Sequence, residues 1–148
     1  MEKKEDLLLN FKAAITSTIK SISNVENVEV TYGNQSSSKE KLVIRLPDLD
    51  NKINFIKTRA LADSEALKIR YSDKEILKLN EPKGNISKKL YSIAEKIRYE
   101  KLGSLKFKGI KENIHNYYNE RLNSLDLNKN ENKVIESFEN YLRVNILD

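Results

Sequence analysis

Residues 85–103 read Asn-Ile-Ser-Lys-Lys-Leu-Tyr-Ser-Ile-Ala-Glu-Lys-Ile-Arg-Tyr-Glu-Lys-Leu-Gly. Ile86, Leu90, Ile93 and Ile97 recur at three- and four-residue steps, which places them on one stripe of a helix. Pro82 and Gly84 precede the run, Asn85 or Ser87 is available to cap it, and Gly103 stands where a left-handed residue often follows a helix end. With only four glycines and two prolines in 148 residues, the chain has few other breaks, so long helices are expected on both sides of this one.

Toward the amino terminus, Leu8, Phe11, Ile15, Ile19 and Ile22 predict an amphipathic helix over about residues 4 to 23. The period then changes. Val28-Glu29-Val30-Thr31-Tyr32 and Leu42-Val43-Ile44-Arg45-Leu46 are β-branched alternating runs on either side of Gly33 and a polar stretch, the pattern of a hairpin with a long loop. Pro47 closes the second run. Asp50 is placed to cap a helix with Ile53, Ile56, Ala60, Leu67 and Tyr71 on one face, although Leu67, Ile69 and Tyr71 alternate as a strand would and fit both readings. Lys74 to Lys83 reads as a connection. Beyond Gly103, a returning helix carries Ile110, Ile114, Tyr117, Leu122 and Leu125, and a last one carries Val134, Phe138, Leu142 and Ile146. The expected class is mainly α (α+β): a single domain over residues 1–148, built as a bundle of about five helices with a small two-stranded β-hairpin near residues 28–46.

Composition narrows the chemistry. No cysteine is present and there is one histidine, which removes disulfides, thiolate nucleophiles, Cys-ligated zinc and histidine metal clusters. His115 sits on the side of its helix and reads as a bystander. The longest purely aliphatic run is Leu7-Leu8-Leu9, far short of a membrane span. The first six residues carry charges of both signs and lead into no apolar signal core, so a cytoplasmic location is expected. The net charge of +5 comes from 27 basic and 22 acidic residues. Residues 74–111 hold 11 basic and 4 acidic groups, whereas residues 112–148 hold 4 and 7. Lys, Asn and Ile number 21, 17 and 15, and all have codons rich in A and T. Genome bias is therefore the plainest source of the lysine excess.

Several charges fall where helical geometry expects apolar residues. Glu100 lies at the edge of the Ile86–Ile97 stripe, so it is expected to be at least partly buried. Tyr91, Arg98 and Leu102, with Glu95 beside them, line a second side of the same helix. Ile110, Ile114, Tyr117 and Arg121 form one line, which sets a guanidinium against the core. An unpaired buried charge costs several kcal/mol, roughly, so a carboxylate must meet it, and Glu100 or Glu95 is nearest along the chain. Arg59, Asp63 and Arg70 flank the stripe of the helix after Asp50, with Arg59 and Asp63 four residues apart. An internal ion-pair network that fixes helix register is the expected role of such charges, with a docking surface as the functional alternative.

These same residues carry a resemblance. The run Arg59 to Asp73, then Pro82-Lys83-Gly84, then Glu95-Lys96-Ile97-Arg98-Tyr99-Glu100-Lys101-Leu102-Gly103, then Gly109-Ile110 with Asn113 resembles the amino-terminal region of the CobT-type subunit of aerobic ATP-dependent cobaltochelatase. Leu42 to Pro47 is similar to the family's Arg-Leu-Pro strand, and the likeness spans about residues 28 to 122. The family-motif or interaction candidates carried over are Arg59, Asp63, Arg70, Asp73, Glu95, Arg98, Glu100, Asn113 and Arg121. Where the family often has histidines, this sequence has Ser72 and Leu77. The acidic linker and the von Willebrand A-like domain of the longer family members do not appear in these 148 residues.

The resemblance implies a non-catalytic part of a chelatase that inserts cobalt into a corrin-ring precursor during cobalamin biosynthesis. Its partners would be an AAA+ ATPase subunit and a large tetrapyrrole-binding subunit. It implies no cofactor in this chain, with cobalt and ATP/Mg belonging to the complex, and no membrane. Two other functions fit the residues. One is an AAA+ adaptor acting on another client. The weaker one is a basic helical nucleic-acid binder using residues 74–111 with Tyr91 and Tyr99, whose rings are expected on a packing face rather than on an exposed stacking platform.

Overall fold

The computed structural model describes residues 2–34, 41–49, 55–123 and 133–147. The element order is α1 (Glu2–Ser23), β1 (Val28–Tyr32), β2 (Leu42–Leu46), α2 (Phe55–Tyr71), α3 (Lys74–Leu79), α4 (Asn85–Lys106), α5 (Lys108–Asn123) and α6 (Lys133–Ile146). The mainly helical class holds, with six helices rather than about five among the described residues. The chain divides into two compact units, Met1–Arg70 and Tyr71–Asp148.

In the first unit, α1 buries Ile15, Ile19 and Ile22, as its period predicts, and packs on β1. Its carboxyl end is closed by Asn24, which adopts the left-handed conformation (φ 60) and donates its backbone N–H to the Lys20 carbonyl at 3.0 Å. Asn tolerates that region better than most residues. α2 is enclosed around most of its circumference, with Thr58, Ala60, Ala62, Asp63, Ser64, Ala66 and Leu67 all buried. Its small side chains permit that close packing. The helical reading of Leu67, Ile69 and Tyr71 prevails over the strand reading. Phe55, at the start of α2, meets Phe11 of α1 edge to face, with centroids 4.8 Å apart. Asp50 and Ile53 lie outside the described residues.

The strands pair, but not as a hairpin. β1 and β2 run parallel, with Val28 opposite Leu42, Val30 opposite Ile44 and Tyr32 opposite Leu46. The alternation is blind to this choice, because the antiparallel register would bring the same six side chains to the same face. The connection from Gly33 to Lys41 has the reach to return to the first end of β1. Nine extended residues span up to roughly 30 Å, whereas a five-residue strand needs about 17 Å. Gly33 starts this return at φ +59, and a Cβ there would approach the Asp48 side chain at 3.1 Å.

In the second unit, α4 is central and packs against both α5 and α6. Three sequence expectations are corrected here. The segment after Asp73 is helical rather than a plain connection, because the Asp73 carboxylate accepts from the backbone N–H groups of Glu75 and Ile76 at 2.9 and 3.1 Å. Neither Asn85 nor Ser87 caps α4: Gly84 occupies that position and makes no side-chain cap hydrogen bond. Gly103 does not end α4 in a left-handed turn. It is buried inside the helix, which runs on to Lys106, and its carbonyl accepts from the Phe107 backbone N–H at 2.7 Å.

The apolar stripes also shift. Ile86 is 62% exposed, so the α4 stripe is covered only from Leu90 onward. Arg98 and Leu102 are exposed, which leaves the second side of α4 only partly packed. On α5 the buried tyrosine is Tyr118 rather than Tyr117, and on α6 Val134 is exposed while Glu139 and Arg143 are buried. Leu125 lies outside the described residues.

Candidate functional site

The densest gathering of charge lies where α4, α5 and α6 meet. Glu100, only 1% exposed, comes from the α4 flank that helical geometry marked. Its Oε2 accepts from Arg143 Nη1 at 2.8 Å. Arg143 also donates from Nε and Nη2 to Glu139 Oε1 at 3.1 and 2.9 Å. Glu139 and Arg143 are four residues apart on α6, in the favourable order with the acid first. Arg121 of α5 reaches the other oxygen of Glu139 at 3.3 Å. The guanidinium on Glu100 is thus that of Arg143, and the carboxylate found against Arg121 is that of Glu139. The expected pairing of Arg121 with Glu100 or Glu95 is corrected accordingly. The reason is geometric: α6, remote in sequence, packs directly on α4, and the turn between α4 and α5 does not choose the partner.

Tyr118 forms the floor of this network. The Arg143 guanidinium carbon lies 3.2 Å from the centre of its ring, with Arg121 at 6.0 Å and Lys96 at 5.9 Å. A guanidinium over an aromatic face is attracted by the ring quadrupole, more so when desolvated. Burial first, and the negative charge of Glu100 second, push the Tyr118 phenol well above its ordinary value. Burial alone would discourage the charge on Arg143, but Glu100 and the groups around it more than offset this and raise its pKa. Lys96, 31% exposed, stands 4.0 Å from the other oxygen of Glu100, so both carboxylates are fully countered. The arrangement locks three helices in register, which is what a buried, internally paired cluster does best.

A cavity of about 90 Å³ adjoins the network and is lined by Ile114, Leu122, Val144 and Leu147, with Tyr118 and Arg143 at its wall. His115, an exposed residue, also borders it.

A second cluster lies on another side of α4. Glu95 and Glu100 are five residues apart, hence about 140° apart around the axis. Arg98 grips Glu95 with two parallel hydrogen bonds, from Nε to Oε2 at 2.6 Å and from Nη2 to Oε1 at 2.8 Å. Its Nη2 also donates to the Tyr71 carbonyl at 2.6 Å, and the Ser72 hydroxyl donates to Glu95 Oε1 at 2.5 Å. The bond from Arg98, chiefly, holds the Glu95 carboxyl below its ordinary value, and Glu95 in turn raises the pKa of Arg98. Ser72 is a hydrogen-bond donor in that cluster.

The remaining candidates divide between the units. In the first, Arg70 Nη1 donates to the Ile22 carbonyl in the last turn of α1 at 2.8 Å. Asp63 is buried on α2. Arg59 Nε is buried with no hydrogen-bond partner among the described residues. In the second, Asp73 is the cap of α3, and Asn113 is half-buried on α5.

Sequence reasoning missed Glu139, Arg143 and Tyr118. The available signal was the Glu139–Arg143 spacing, which falls just beside the apolar arc of α6. No helix among the described residues is long and apolar enough to cross a membrane.

Compared with known proteins, the chain matches no solved structure. The family model for the cobalamin biosynthesis protein CobT matches residues 6–143, which covers most of each compact unit and all nine candidate residues. The chain therefore belongs to the CobT family of cobalamin biosynthesis proteins.

Proposed function

We propose that this chain is a non-catalytic coupling domain of an ATP-dependent cobaltochelatase, joining the work of an AAA+ ATPase to cobalt insertion into a corrin precursor. Family membership supports the pathway. The observation that carries the coupling role is the Glu100–Arg143–Glu139–Arg121 network. Its charges are spent on one another, so it stiffens the three-helix unit and leaves no activated group for acid–base or nucleophilic work. A domain that transmits force between an ATPase and a substrate-binding subunit needs that stiffness.

In this reading, cobalt is the cargo and ATP with Mg belongs to the AAA+ ring. The large tetrapyrrole-binding subunit holds the corrin precursor, and the assembly works in the cytoplasm. The test is reconstitution. The full chain is mixed with the AAA+ subunit and the tetrapyrrole-binding subunit of the same organism, with co-elution and the absorbance change of cobalt insertion as readouts. Co-elution with at least one subunit and loss of insertion when this chain is left out are expected. Failure to bind either, with insertion proceeding unaided, would sink the proposal. If the organism lacks both subunits, the same domain serving another AAA+ client takes its place.

A further inference from the structure

α3 contributes little to the core: Leu77 is half-buried and every other residue of the helix is exposed. Its six residues, Lys74–Leu79, include no buried side chain. A helix this short is not stable in water by propensity alone, and here the Asp73 cap holds it. Ile76 is 59% exposed and Leu79 is 85% exposed. Polar residues at both positions would serve the helix equally well. Immediately beyond, Ile86 in the first turn of α4 is 62% exposed, although its period assigns it to the core stripe.

These aliphatics are held close in the chain by a short, fixed turn. Glu81 pairs with Lys88 across it at 2.7 Å. The Asn80 and Glu81 backbone N–H groups bond back to Ile76 and Lys78, and that of Lys88 bonds to Gly84. The surroundings are basic: residues 74–89 contain five lysines and two glutamates, all exposed. Lysines alone carry no inference in a lysine-rich chain. Their coincidence with three exposed aliphatics on a capped knuckle that covers only Leu77, and that by half, does.

We propose that the α3 knuckle, with Ile76, Leu79 and Ile86 at its surface and Lys74, Lys78 and Lys83 among them, is a docking surface for an acidic amphipathic segment of a partner protein. The apolar side of such a segment covers the aliphatics, and its carboxylates meet the lysines. Charge complementarity selects an acidic occupant over a neutral one, and the exposed aliphatics require that it also present an apolar side. The proposal goes beyond the chelatase reading and does not depend on it, because it concerns a surface and can be tested without the chelatase subunits.

The experiment titrates the isotope-labelled full chain with a synthetic acidic helix of about 14 residues, bearing leucines at i, i+3, i+4 and i+7 and glutamates on its flanks. A scrambled peptide of identical composition and phosphatidylserine-containing vesicles are run beside it. Salt-sensitive binding of the patterned peptide is expected, with amide shifts concentrated in residues 74–89. The double variant Ile76→Ser/Leu79→Ser should weaken binding by about tenfold or more. Its circular dichroism and Tm should stay unchanged, since neither side chain is buried. Lys78→Glu/Lys83→Glu should weaken binding and flatten its salt dependence. The proposal is overturned by absence of binding, by equal binding of the scrambled peptide, or by shifts centred elsewhere. Binding to vesicles without the peptide overturns it in favour of a membrane, and self-association abolished by Leu79→Ser overturns it in favour of a second copy.

Discussion

Arg143 of α6 donates to Glu100 of α4 at 2.8 Å, a bond between residues 43 apart in sequence, and both side chains are almost wholly buried. Removing the guanidinium takes from Glu100 and Glu139 their shared, buried partner and leaves each only a longer, partly exposed one, Lys96 at 4.0 Å and Arg121 at 3.3 Å. Arg143→Met should therefore lower stability by about 3–5 kcal/mol, read from urea unfolding. Arg121→Met, at a partly exposed position, should cost about 1 kcal/mol or less. In double-mutant cycles, Glu100 should couple more strongly to Arg143 than to Arg121. The reverse ranking would remove the network as drawn.

The Tyr118 hydroxyl is buried and has no hydrogen-bond partner among the described residues. Tyr118→Phe should thus change stability by only about 0.5 kcal/mol, with stabilisation as the expected sign. Tyr118→Ala removes the ring under Arg143 and should cost about 3–5 kcal/mol. Because the folded phenol has a pKa raised above its ordinary value of 10.0, the native state keeps a proton that the unfolded chain loses above that pH. Stability from this group is complete below pH 10 and declines as pH rises further. In Tyr118→Phe the alkaline decline should be shallower.

The Glu95 carboxyl behaves oppositely. Its folded pKa lies below the ordinary 4.5, chiefly through Arg98, so its contribution is present above about pH 4.5 and is lost as pH falls below that value. Glu95→Gln should flatten the acid limb of the stability profile and cost about 1 kcal/mol at neutral pH, the scale of a half-exposed pair. An unchanged acid limb would show that the pair does not hold in solution.

Asp73→Ala removes the α3 cap and should cost that helix about 1 kcal/mol. α3 has no fully buried side chain, so the loss should be local. Amide exchange should accelerate at residues 74–80, while the Tm of the whole chain moves little. A large drop in Tm would mean that α3 is integral to the second unit.

Much of this molecule could be read directly from its sequence. The period of Ile15, Ile19 and Ile22 fixed the inward face of α1, and the position of Glu100 beside the Ile93–Ile97 stripe fixed its burial. The β-branched runs at 28–32 and 42–46 marked both strands. These are properties of single elements, and an element's own periodicity carries them. Whether β1 and β2 run parallel, which arginine meets Glu100, and why α6 turns Glu139 and Arg143 inward while Val134 stays exposed are different in kind. Each depends on how one element lies against another. The strand alternation is the same for both directions, and the choice of ion-pair partner follows the packing of α6 on α4. Sequence alone determined the five long helices, the two strands and the burial of Glu100, but not the short α3 or the inward turn of Glu139 and Arg143. Tertiary structure decided the partners, because the energy of a buried charge depends on the distance to its counter-charge, and only packing sets that distance.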